Sequence, residues 1–209
     1  MSSEEYINNQ INQIKKQLAK NPSDASLLHD LGVGYYLIGK YRKAVENLRS
    51  AVESDEKNAT YLFNLANAYS QLEEYPLAIK YYLDALEIDP EHIPSLTNLA
   101  DSYEASGDIE KAGELFEYIT QLAPQNALAF FNHGNFLLRQ NEHIKAVKKY
   151  EDAIEIEESF ADAYLNIAWI LNEVKAYDKA LTYAKKGLET DANHDDLKNI
   201  LLKISNNLG

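Results

Sequence analysis

Asparagine is the residue type whose spacing in this chain points to chemistry. Asn64, Asn98, Asn132 and Asn166 stand 34 residues apart, and Asp30 holds the same phase one stride earlier. A carboxamide both donates and accepts, so a row of them can satisfy the N–H and C=O groups of an extended peptide whatever its side chains are. That is recognition rather than bond making. The sequence carries no Gly-rich phosphate loop and no G-x-S-x-G, and its carboxylates follow helix-end and surface spacings rather than forming a catalytic pair. His29, His92, His133, His143 and His194 are scattered, none with the i, i+4 partner that zinc ligation on a helix needs, and His133 reads as a hydrogen-bonded core histidine. With no cysteine there is no disulfide, thiolate metal site or cysteine nucleophile. The expectation is a non-enzymatic chain without cofactor or metal.

The elements that must hold such a row are written in three further ladders of the same stride. Ala44, Ala78, Ala112, Ala146 and Ala180 form the first. Leu31-Gly32, Leu65-Ala66, Leu99-Ala100, His133-Gly134 and Ile167-Ala168 form the second, and Leu48, Tyr82, Phe116 and Tyr150, lapsing to Ala184, the third. A fixed period of this length means stacked supersecondary units rather than one globular core. Apolar residues three and four apart, as in Leu62, Leu65 and Tyr69 or Ala78, Tyr82 and Ala85, give two amphipathic helices per unit. Turns are expected around Gly39, Glu73, Gly107, Asn141 and Lys175. The units are residues 25–58, 59–92, 93–126, 127–160 and 161–192. Residues 1–24 supply the second half of an incomplete unit, with Ile7, Ile11, Ile14 and Leu18 on one face. Residues 193–209 supply a capping helix bearing Leu197, Ile200, Leu201 and Ile204. Pro22, Pro90 and Pro124 mark unit ends, and Asp24, Asn58 and Asn126 suit helix N-caps.

In its period, small-residue positions and terminal proline, the chain resembles the tetratricopeptide repeat family across residues 25–192, with local departures at His133, Ala184 and Gly187. The resemblance implies an all-α, right-handed superhelical solenoid of helical hairpins whose first helices line a concave groove. The expected peptide-binding residues on that face are Phe63, Asn64, Asn67, Asn98, Asp101, Phe131, Asn132, Asn135, Arg139, Leu165, Asn166 and Trp169, with Tyr36 and Leu138 as further apolar anchors. Anchors are needed because each hydrogen bond nets only about 0.5–1.5 kcal/mol, against about 1–2 kcal/mol of backbone entropy per ordered ligand residue. The family's two-carboxylate clamp is not reproduced: the matching positions hold residues such as His29, Val33, Pro94 and Asn98, without its basic members.

A formal charge of −13 opposes nucleic acid and anionic membrane, whose binding draws on lysine and arginine. Asp101, Glu104, Asp162 and Glu173 on the groove side, with Arg139 as its clear cation, favour a neutral or basic ligand. The opening residues lack the apolar stretch of a signal peptide, and no run approaches the ~18 apolar residues of a membrane span, so a cytoplasmic chain without membrane insertion is expected. Two functions fit: a scaffold binding an extended protein segment, or a self-associating homo-oligomer whose groove or end receives a helix of another copy.

Overall fold

The computed structural model describes residues 3–208, the side chain of Leu208 excepted. Among the described residues every regular element is an α-helix: α1 (Ser3–Leu18), α2 (Ala25–Leu37), α3 (Tyr41–Ser54), α4 (Ala59–Gln71), α5 (Tyr75–Ile88), α6 (Ile93–Ser106), α7 (Ile109–Leu122), α8 (Ala127–Arg139), α9 (His143–Ile156), α10 (Ala161–Glu173), α11 (Tyr177–Thr190) and α12 (Asp195–Leu208). They form two compact units, one through Leu115 and one from Phe116, so that the division falls within α7.

The first helix of every hairpin but the last starts where a side chain can take up its unpaired N–H groups. Asp24 accepts from Leu27 N at 3.1 Å, Asn58 from Tyr61 N at 3.2 Å and Asn126 from Ala129 N at 3.2 Å. His92, in the same phase, caps α6 by accepting from Ser95 N at 3.3 Å. His194 stands in that phase too, its Nδ1 a longer 3.4 Å from Leu197 N at the start of α12. Phe160 has no side-chain acceptor, and α10 begins without a side-chain cap.

Each hairpin reverses through one residue of positive φ: Gly39 at 71°, Glu73 at 59°, Gly107 at 92°, Asn141 at 61° and Lys175 at 63°. The next amide then reaches back to the last turn of the first helix, as Ala176 N does to Leu171 O at 2.8 Å. The left-handed conformation costs an L-residue roughly 1–2 kcal/mol, and glycine gives back about 0.4–1 kcal/mol through its freer unfolded chain. Lys175→Gly is therefore expected to stabilise the C-terminal unit by about 0.5–1 kcal/mol, read as a rise in melting temperature.

In the N-terminal unit the core runs through Leu31, Tyr35, Leu48, Leu65, Tyr69 and Tyr82 and ends beneath Leu99. The apolar stripe of α1 closes it, with Ile11 buried and Ile7, Ile14 and Leu18 packed alongside. That stripe is thus occupied within its own chain, and a copy donating residues 3–20 elsewhere would have to uncover it. In the C-terminal unit the small residues show why they recur: a Cβ on Gly134 would stand 2.6 Å from Tyr150 Cε1. One on Gly187 would stand 2.8 Å from Leu197 Cδ1. The unit closes on α12, whose Leu197, Ile200 and Ile204 pack over Ala168, Ala180 and Ala184. Ala184, small where the ladder elsewhere is bulky, belongs to the surface that receives α12.

Candidate functional site

The ladder asparagines do not stand alone. In the N-terminal unit, Asn67 on α4 is one oxygen shared by two donors: Tyr82 Oη of α5 at 2.6 Å and Asn98 Nδ2 of α6 at 2.8 Å. Burial pushes the Tyr82 phenol well above its ordinary range, so it keeps its proton and donates. Asn64 Nδ2 lies 2.8 Å from His29 Nε2; an amide N–H only donates, so Nε2 accepts. The ring proton is then on Nδ1, 3.3 Å from Asp30 Oδ1. Phe63 packs edge-on to His92 at 5.1 Å and tilted to Tyr82 at 6.1 Å. Phe63 and Asn64, with His92 and Ser95, line a cavity of about 290 Å³. A separate one of about 260 Å³ is lined by Asn67, Asn98 and Asp101 with Tyr36, Ser70, Gln71 and Tyr82.

The C-terminal unit repeats the bridge. Asn135 Oδ1 accepts from Tyr150 Oη at 2.8 Å and from Asn166 Nδ2 at 3.1 Å. Burial pushes the Tyr150 phenol up to about 12. One N–H of Asn98 and one of Asn166 are therefore already committed between neighbouring first helices. What each offers a ligand is the remainder of its amide. Phe131 is half-buried between Phe160 at 4.8 Å and Tyr150 at 5.6 Å, Asn132 is half-buried on α8, and Arg139 is exposed at its end.

Leu165, Asn166 and Trp169 of α10 do come together with Leu138, and with four residues that sequence reasoning missed: Asp196, Asn199, Ile200 and Lys203 of α12. These eight line a cavity of about 510 Å³, and Trp169 itself is 41 % exposed. Lys203 Nζ reaches Glu173 Oε1 at 3.0 Å, fixing the rim. The signal was present: Ile200 is one stride beyond Asn166 and Lys203 one stride beyond Trp169. Treating α12 only as a cap hid them.

His133 departs from expectation. It is buried at 4 % exposure, yet its Nδ1 has no hydrogen-bond partner; Glu117 Oε2 is 3.7 Å away and held by Lys149 Nζ at 3.1 Å. It stacks instead on Phe116 at 6.1 Å. At Nδ1 the expected hydrogen bond is not made, because the Glu117 carboxylate stays 3.7 Å away and pairs with Lys149. Burial, then the Lys149 charge, holds its pKa down at about 4, against the weaker pull of Glu117 and Glu142. Among the described residues no group of three or more His, Asp or Glu side chains is placed to hold a metal ion, and no helix is long and apolar enough to cross a membrane.

Successive helical hairpins with glycine or alanine recurring where their helices meet define a helical-repeat protein, and comparison with known proteins gives the family. The profile of the cilia and flagella-associated protein 70 middle TPR-like domain matches residues 96–201, just over half the chain. Tetratricopeptide repeat profiles match residues 59–92 and 34–73. The chain belongs to the tetratricopeptide repeat family, and its fold is an all-α helical-repeat solenoid. Over 73 residues, 35 % of its length, it is 30 % identical to the protein O-mannosyl-transferase TMTC3 of Homo sapiens, and it spans only 8 % of that relative. The C-terminal part of a TPR repeat-containing protein from Cytophaga hutchinsonii superposes with a TM-score of 0.78 at 17 % identity, covering 95 % of this chain and 80 % of the other. YrrB, a TPR protein with an unusual peptide-binding site, superposes with a TM-score of 0.61 at 19 % identity, covering 89 % and 96 %. The fold supports a protein–protein interaction scaffold.

Proposed function

We propose that this chain is a non-enzymatic scaffold that binds a neutral or basic protein segment along its first helices, with the cavity around Trp169 as the apolar anchor. The observation that carries this reading is a half-exposed tryptophan over an open cavity of about 510 Å³ floored by Leu138, Leu165 and Ile200. Exposed tryptophans in such settings are the usual source of binding energy at protein interfaces. Asn166, pinned to Asn135, keeps its orientation before any ligand arrives, which lowers the ordering cost of a hydrogen bond to a ligand backbone. The formal charge of −13 sets the sign of the preferred partner. A peptide-binding site on YrrB, similar in fold, is in keeping with this use of the scaffold.

Peptides selected from a random display library on the immobilised chain, then titrated in solution, test it. Trp169 is the single tryptophan, so its emission reports the cavity directly and is expected to shift to the blue on binding. Trp169→Ala, followed by calorimetry, is expected to weaken those peptides by about thirtyfold, the equivalent of about 2 kcal/mol at a hot spot. Selected peptides that bind the folded variant as tightly as the original would place the site elsewhere.

A further inference from the structure

The first hairpin turn is unlike those that follow it. Residues 37–43 hold Leu37, Lys40, Arg42 and Lys43 and no carboxylate, in a chain of formal charge −13. One, two and three strides on, Lys40 gives way to Glu74, Asp108 and Glu142, and Arg42 to Pro76, Glu110 and Ile144. Leu37 gives way to Gln71, Ala105 and Arg139. Leu37 is 61 % exposed, and the three cations are exposed with it. A lone exposed leucine is ordinary. One that shares its turn with three cations is an amphipathic knob.

At the other end of α3 lies a cleft of about 630 Å³ between α3, α4 and α5. Its floor is apolar, from Val52, Leu62, Tyr81 and Ile88, and its rim carries four carboxylates against two ammonium groups. Glu53 and Asp84 pair with Arg49 at 3.6 Å and Lys80 at 3.2 Å, while Glu56 and Glu87 stand exposed on the rim with Lys57. The space exceeds one leucine side chain and suits a leucine together with the aliphatic stems of flanking lysine or arginine. An apolar floor within a rim of excess negative charge fits a guest with an apolar centre and cationic edges. The α2–α3 turn is such a guest. It cannot fill the cleft of its own chain, because α3 has 14 residues and, at about 1.5 Å per residue, holds the two about 20 Å apart.

We propose that the α2–α3 turn of one copy docks in the cleft between α3 and α5 of a second copy, Leu37 entering the apolar floor and Lys40, Arg42 and Lys43 facing Glu56 and Glu87. Knob and cleft are different surfaces, so the contact is head-to-tail and repeats into a ring or a filament. Most of the repulsion between two such acidic chains acts beyond the ~8 Å Debye length of physiological salt, whereas the docked charges lie within it. None of these residues lines the Trp169 cavity, so the proposal goes beyond the scaffold reading and stands apart from it.

Sedimentation equilibrium of the full 209-residue chain at physiological salt, from micromolar to submillimolar concentration, tests it. The weight-average mass is expected to rise with concentration. Glu56→Lys with Glu87→Lys, and separately Lys40→Glu with Arg42→Glu, are each expected to weaken association by about tenfold or more with the circular dichroism unchanged. An equimolar mixture of the two variants is expected to associate again, because the turn of each then meets a cleft of opposite charge in the other. Damage to either fold would not be repaired by mixing. A wild-type mass that stays at that of one chain, variants that associate as the wild type does, or a mixture that stays monomeric would overturn the proposal. A monomeric wild type whose cleft binds an unrelated basic peptide would give the cleft to a foreign partner instead.

Discussion

Tyr150→Ala is expected to cost the C-terminal unit about 3–5 kcal/mol, the range for removing a large buried aromatic side chain. Tyr150→Phe is expected to cost about 1 kcal/mol, the net value of one hydrogen bond. The ring is fully buried and sits against Gly134, where a Cβ would come within 2.6 Å of it, and against Phe131 at 5.6 Å. Glycine has no side chain to swing into the space the ring would leave, so the cavity persists and the cost lies toward the upper end. Phenylalanine keeps the ring and loses only the donor at 2.8 Å, and Asn135 Oδ1 retains its bond from Asn166 at 3.1 Å. Trp169 lies in the same unit, so denaturant unfolding followed by its emission reads the right transition even if the repeats do not unfold together. A phenylalanine variant as damaged as the alanine one would mean that the bridge, not the ring, holds α8 against α9.

Much of the fold was legible because the stride fixes phase. The five turn residues expected from the period are the five that adopt positive φ among the described residues, although three of them are glutamate, asparagine and lysine. No composition rule singles out Glu73 or Lys175; only their place in the period does. The same phase carries the capping row from Asp24 through Asn58 and Asn126, but histidine is an uncommon cap, and His92 was legible only once the row was extended through it. The site was less legible. That Asn98 would spend a donor on Asn67 depends on which faces of α4 and α6 meet, a relation between residues 31 apart that side-chain type alone does not state. The α12 wall of the Trp169 cavity was hidden for another reason: one set of residues both caps the core through Leu197 and Ile204 and opens to solvent through Asn199 and Lys203.

His133→Leu is expected to stabilise the protein at every pH above about 4, and more in mild acid than at pH 8. At pH 8 the imidazole is neutral in the folded and unfolded chains, so the gain there comes from removing a buried Nδ1 without a partner, about 1–3 kcal/mol. Leucine has precedent in the fold, because Leu31, Leu65 and Leu99 are buried at the corresponding places. As the pH falls below the unfolded value near 6.5, the unfolded chain takes up a proton that the native one refuses until about 4. Stability is lost through that window and levels off below it. At 1.36 kcal/mol per pH unit the full loss is about 3 kcal/mol, and by pH 5 about 2 kcal/mol of it has accrued. The groups facing the ring are Glu117 of α7, Lys149 and Lys145 of α9, and Glu142 at the turn before it; the two lysines oppose the imidazolium and the two glutamates favour it. Burial adds to the lysines, and the neutral form prevails. Unfolding midpoints of wild type and His133→Leu at pH 8 and pH 5, read by Trp169 emission, should therefore diverge by about a further 2 kcal/mol at the lower pH. The same difference at both values would show that His133 accepts its proton in the folded chain as readily as in the unfolded one, and that Glu117 turns toward it when Lys149 is no longer the better partner.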